Sequence, residues 1–248
     1  MEKEFLKEPG DIEDIDFLEE IKASNLVILA NNLSKDYEIG DFIVRAVDDI
    51  ALRIKESDCV IIKGPSGAGK TTLLNLIGGL DSPNKGVVYS SGVKITNLQE
   101  ESLATFRLIN VGFIFQNYNL ISTLTAEENV MFPMKLAGMN LKEQRERALS
   151  LLKQIGLGDR REHLPFQLSA GEQQRVAIAR ALANDPPIIL ADEPTANLDK
   201  NTSMIIRDLF NDMKKDGKTI IIATHDDFLI KLANRVITFE DGKILSEE

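Results

Sequence analysis

One run constrains this chain more than any other: Gly64, Pro65, Ser66, Gly67, Ala68, Gly69, Lys70, Thr71 and Thr72. It follows the spacing G-x-x-x-x-G-K-[ST], with apolar Cys59–Ile62 ahead and amphipathic Thr71–Ile77 behind. A strand, a glycine-rich turn and a helix start are therefore predicted in that order. Glycine lets successive backbone N–H groups turn inward onto phosphate oxygens. The Lys70 ammonium suits the β- and γ-phosphates, the Thr71 hydroxyl can ligate Mg²⁺, and the helix dipole adds positive potential at the same point. The expectation is an α/β fold that binds a nucleoside triphosphate.

A length of 248 residues suits one large α/β domain or a domain with a smaller lobe. No apolar run approaches the ~20 residues of a membrane-spanning helix. The N-terminus lacks the basic start and apolar core of a secretory signal, so a cytoplasmic location is expected, with any membrane contact made through a partner. The lone Cys59 cannot form an internal disulfide and reads as a small buried core residue. Net charge is −10, and residues 1–24 carry −6 of it, nine acids against three lysines. Backbone affinity for nucleic acid comes from Lys and Arg, so no direct nucleic acid partner is expected.

Residues 1–24 form an acidic extension in which Ile12, Ile15, Leu18 and Ile21 recur every three residues. Two readings stand: a mostly solvated acidic tail, or a short amphipathic helix that serves regulation or docks a partner. Strands are predicted at Leu26–Leu29, Phe42–Val47, Ile50–Ile54, Gly86–Tyr89, Val93–Ile95 and Asn110–Phe115. Helices follow, one opened by Thr125 with Glu128 three residues on, a second over Leu141–Leu152, and a third from Ser169 to about Ala183. Strands return at Ile188–Ala191, Thr219–Ala223 and Arg235–Phe239. The domain at 25–248 is thus an α/β core interrupted by a helical subdomain at about 117–184.

The strand at Ile188–Ala191 ends on Asp192 and Glu193. Ligands of open α/β sheets sit at that strand end. Asp192 is placed for the Mg²⁺ shell, and Glu193, pointing to the other face, for an attacking water.

The stretch Leu168–Leu182, reading LSAGEQQRVAIARAL, resembles the signature sequence of the ATP-binding subunits of ABC transporters. The resemblance spans about residues 25–245. It implies a P-loop NTPase core of the ABC ATPase type with an antiparallel β subdomain and an inserted α-helical subdomain. Within it, Ser169, Gly171 and Glu172 open an anion-binding helix start, where Ala170 replaces the usual glycine. Gln116 resembles the loop glutamine that reaches Mg²⁺, Asp199 the interface loop, and His225 the switch histidine that contacts γ-phosphate. Tyr37 corresponds to the adenine stacker, with Phe42 as the competing candidate. His163 is assigned no chemistry.

The catalytic set implied is Glu193, His225 and Lys70, and the metal set Thr71, Gln116 and Asp192, with ATP and Mg²⁺ as cofactors. The resemblance further implies ATP hydrolysis by a head-to-tail homodimer that powers an integral membrane permease. Ser169, Gly171 and Asp199 of one chain would complete the site of the other. The surrounding residues look most like the lipoprotein-release and macrolide-export group. Two alternatives share the core: a cell-division signalling subunit, and a soluble ABC ATPase acting on nucleic acid or ribosomes. Only 96 residues separate Thr71 from Leu168, too few for the long coiled coil of chromosome-type members.

Overall fold

The computed structural model describes residues 12–248 except residue 197. In chain order the elements are α1 (Ile12–Ser24), β1 (Leu26–Ile39), β2 (Phe42–Lys55), β3 (Cys59–Lys63), α2 (Lys70–Ile77), β4 (Lys85–Ser90), β5 (Val93–Lys94) and α3 (Glu100–Asn110). Then come β6 (Val111–Ile114), α4 (Ala126–Leu136), α5 (Leu141–Gln154), α6 (Ala170–Ala181), β7 (Ile188–Asp192), α7 (Lys200–Lys215), β8 (Thr219–Ala223), α8 (Asp227–Ile230), β9 (Arg235–Glu240) and β10 (Lys243–Glu247).

Two sheets share one core. A six-stranded sheet runs β10-β9-β3-β8-β7-β6, and every neighbouring pair except β10–β9 is parallel. A four-stranded antiparallel sheet runs β2-β1-β4-β5. The central strands β3, β7 and β8 are nearly continuous buried apolar runs, as a sheet covered on both faces requires. Between the sheets lies α2, whose Leu73, Leu74, Leu76 and Ile77 pack with Ile28 and Ile54 on one side and Val60 and Ile62 on the other. The opposite face of the parallel sheet is covered by α6 and α7, through Ile178, Ile206 and Phe210. The helices α4, α5 and α6 enclose their own cluster around Val130, Met134, Ala148, Leu152 and Val176.

Several expectations are refined. The strand pieces at Leu26–Leu29, Phe42–Val47 and Ile50–Ile54 belong to one long hairpin, because β1 and β2 bend through register shifts and turn at Gly40, whose φ is 61°. The strand expected from Asn110 starts one residue later, since Asn110 closes α3. Neither α3 nor α7 is among the predicted helices. Residues 1–11 of the acidic extension lie outside the described residues. From Ile12 the chain is helical and packs on its own fold, so it is not a solvated tail there: α1 lies on the outer antiparallel face, with Phe17, Leu18 and buried Ile21 against Leu29, Tyr89 and Val87. Asp14 accepts from Tyr89 Oη and from Lys94 Nζ, the latter at 2.6 Å, and Glu20 pairs with Arg53 at 2.5 Å. Cys59 is buried at the start of β3, where desolvation pushes its thiol up to about 11.

Candidate active site

The C-terminal ends of β3, β8, β7 and β6 lie side by side, and each delivers a residue singled out above. From β3 the chain enters the glycine-rich loop. Gly69 at φ 102° precedes α2, and a Cβ there would lie 2.0 Å from the Ala46 carbonyl oxygen of β2. Only glycine permits both that conformation and that approach, which locks the antiparallel sheet onto the loop. Lys70 is buried, and its ammonium donates to the carbonyls of Gly64 at 2.7 Å and Pro65 at 2.9 Å.

Thr71 Oγ1 donates to Asp192 Oδ2 at 2.8 Å, joining the first turn of α2 to the end of β7. Burial raises the Asp192 carboxyl; the Thr71 hydrogen bond opposes it and the neighbouring Glu193 charge adds to it. Hard oxygen donors of this kind suit Mg²⁺, which is usually held by one or two carboxylates together with substrate phosphates. Among the described residues there is no cluster of three or more His, Cys, Asp or Glu that could hold a metal by themselves.

Glu193 turns off the strand at φ 43°, a left-handed conformation uncommon for a non-glycine residue, and its N–H donates to Ala223 O at 2.8 Å. That turn swings the carboxylate toward the end of β8. Its Oε1 lies 3.1 Å from His225 Nδ1, and its Oε2 accepts from Thr224 Oγ1 at 3.3 Å. The Glu193 side chain is 16% exposed and that of His225 78%, so the carboxylate is backed by protein while the imidazole faces outward. Gln116 follows β6 and is exposed. The next loop is held from α6, where Arg180 donates to the carbonyls of Tyr118 and Asn119.

Ser169 caps α6: its Oγ accepts from Glu172 N at 3.3 Å, and Glu172 Oε2 accepts from Ser169 N at 2.8 Å. These backbone bonds hold the Glu172 carboxyl below its usual range. Ser169 and Ala170 are exposed and Gly171 is buried. A Cβ on Gly171 would come 2.4 Å from Thr202 Cγ2 in the first turn of α7. Asp199 is the N-cap of α7, accepting from the N–H groups of Asn201 and Thr202 and from Thr202 Oγ1 at 2.6 Å. The start of α6 and the Asp199 loop are therefore in contact within one chain.

The two aromatic candidates occupy different surroundings. Tyr37 is half-buried, its hydroxyl donates to Asp81 Oδ2 at 2.7 Å, and Lys35 Nζ lies 5.0 Å from its ring centroid. Burial raises its phenol, with Asp81 adding and Thr72 opposing. Phe42 stands at the hairpin tip, 76% exposed. His163 makes a backbone cap for α4, where its carbonyl accepts from Ala126 N at 2.9 Å.

Several contributors were not among the sequence candidates: Thr224, Asp226, Thr195, Arg180, Asp81 and Lys35. Thr224 and Asp226 flank His225, so proximity in sequence was the available signal for them. Asp81 lies 44 residues from Tyr37, so that partnership has no local signature, whereas Lys35 sits two residues away on the same strand.

Residues 47–196 match the family described as ABC transporter. The chain is 48% identical over 219 residues to an uncharacterized ABC transporter ATP-binding protein of Methanocaldococcus jannaschii, covering 88% of this chain and 98% of the relative. It is 46% identical over 221 residues to the macrolide export ATP-binding/permease protein MacB of Hyphomonas neptunium, covering 89% of this chain but only 34% of that larger protein. Among solved structures, it is similar to the dimeric post-hydrolysis state of the ATP-binding cassette MJ0796 bound to ADP and Pi, with a TM-score of 0.85 at 45% identity, covering 89% of this chain and 97% of the other.

Proposed function

The chain belongs to the ABC transporter ATP-binding family, and on that premise we propose that it hydrolyses ATP as a homodimer to power a separate membrane permease. The work done would be export, lipoprotein release or mechanotransmission. The observation that carries this reading is the convergence of Lys70, Thr71, Asp192, Glu193 and His225 at adjacent strand ends.

In this reading the loop N–H groups of residues 64–72 cradle the phosphates, and Lys70 exchanges its carbonyl partners for phosphate oxygens. Thr71, Asp192 and Gln116 would hold Mg²⁺, which neutralises charge developing on the β- and γ-phosphates. Glu193 accepts a proton from the attacking water, and His225 donates to γ-phosphate. Tyr37 stacks on the adenine, as its place on β1 near Thr72 supports. Ser169, Gly171, Glu172 and Asp199 would meet the nucleotide held by the second copy. Their mutual contact through Thr202 supports a single rigid surface for that meeting.

The permease partner is supported by an apolar groove of about 440 Å³ between the core and the helical subdomain, lined by Leu80, Phe113, Phe115, Ile121 and Phe132. Leu80, Ile109, Phe132 and Leu136 are exposed. No described helix is long and apolar enough to cross a membrane, so membrane contact through a partner fits. The test is to solubilise native membranes containing tagged Glu193→Gln protein with ATP and Mg²⁺ and to identify what co-purifies. A permease that is retained, and lost with Phe132→Glu, supports the proposal. Ribosomes, nucleic acid factors or no membrane protein would overturn it.

A further inference from the structure

Thr224 is fully buried at the end of β8, and its hydroxyl has one hydrogen to give. Its Oγ1 accepts from Asp226 N–H at 3.1 Å, and its other neighbour is Glu193 Oε2 at 3.3 Å. An ionised carboxylate only accepts, so the Thr224 proton points at Glu193. At 3.3 Å this is a long O–H···O bond, and among the described residues the hydroxyl has no other acceptor within hydrogen-bond reach.

The rest of the circuit is fixed. Asp226 Oδ2 accepts from buried Thr195 Oγ1 at 2.7 Å, and Asp226 Oδ1 accepts from Phe228 N–H at 2.8 Å. Thr224 N–H is itself bonded to Ile62 O on β3, at 3.1 Å. The segment after Glu193 and the segment after β8 are thus tied together on both sides of the carboxylate.

We infer that Thr224 is a positioning residue that sets the rotamer of the Glu193 carboxylate, pinning Oε2 so that Oε1 faces the His225 side of the site. This rests on the reading of Glu193 as the acceptor of the water proton. Without the bond, the carboxylate keeps only its contact with the exposed His225 imidazole among its described side-chain partners, and fewer molecules hold it aligned for proton transfer. Asp226 and Thr195 act one step further out, by keeping the Thr224 lone pair occupied.

The test compares Thr224→Val, which keeps the shape and removes the hydroxyl, with Thr224→Ser, which keeps the hydroxyl and removes a methyl group. Steady-state phosphate release, equilibrium ATP binding and thermal melting are measured on each full-length variant. Valine is expected to lower kcat about tenfold or more while ATP affinity stays within about twofold. Serine is expected to recover kcat to within about threefold of the parent. Should the valine variant not fold, Thr224→Ala is read in the same way. Parental turnover in the variant lacking the hydroxyl, or an equal fall with serine, would overturn the inference. A Glu193→Gln variant with parental turnover would instead sink the reading beneath it.

Discussion

Glu193 Oε1 and His225 Nδ1 stand 3.1 Å apart although the two residues follow different parallel strands, β7 and β8. The pairing depends on backbone as much as on side chains. Register sets Asp192 opposite Ala223, and the left-handed turn at Glu193 then brings its carboxylate beside the residues that follow Ala223. A conformation of this kind at a strand end is a local cost that a functional site retains.

Asp192 carries a cost of a different sort. Its folded-state pKa is raised, chiefly by burial, so at neutral pH the ionised carboxylate disfavours the fold. Asp192→Asn should raise Tm at pH 7, since the amide still accepts from Thr71, while ATP turnover falls at least about tenfold. The gain in Tm should shrink as pH drops through the folded-state pKa, because protonation relieves the same penalty in the parent. Melting curves across pH 4–8 check the sign; a gain that grows toward acid contradicts it.

Lys70 donates to two loop carbonyls and is buried at the mouth of the loop. Lys70→Ala removes the charge proposed to face the phosphates, and ATP affinity should fall about tenfold to a hundredfold. Titration calorimetry reads the change, and an unaltered Kd would remove Lys70 from the site.

The α1 helix contributes stability without touching the chemistry. Ile21 is buried in a small cluster with Leu26, Leu29 and Tyr89. Ile21→Ala should cost about 2 kcal/mol, seen as a lower urea midpoint at unchanged slope, with kcat and KM for ATP unaltered. A change in turnover at unchanged stability would mean that α1 serves the site and not the fold.

The parts of the fold legible in the sequence are those written locally. The glycine-rich loop, the Thr125 and Ser169 capping boxes and the apolar runs of β3, β7 and β8 each combine residue type and spacing within about ten positions. The sequence also carries a signal for α7: Ser203, Ile206, Phe210 and Met213, its buried residues, recur at three- and four-residue spacing behind the Asp199 cap. A reading of Asp199 as an interface loop passes over it. By contrast α3 buries only Leu103 and Phe106, too sparse a stripe to declare a helix.

What stayed hidden is relational. That Gly171 must lack a side chain follows from Thr202, 31 positions away, and that Thr224 serves Glu193 follows from strand order. The acidic run in α1 read as well for a tail as for a helix, because its apolar repeat is weak. Contacts to Tyr89, Lys94 and Arg53 settle its place.

In the proposed cycle ATP binds at this site, closes two copies together and is cleaved with Glu193 as proton acceptor. The most direct test of this cycle is sedimentation of the Glu193→Gln variant with ATP and with ADP, alongside phosphate release. A dimer of twice the monomer mass is expected with ATP, monomer with ADP, and hydrolysis slowed about a hundredfold or more. A variant that stays monomeric at saturating ATP, or releases phosphate at the parental rate, contradicts it.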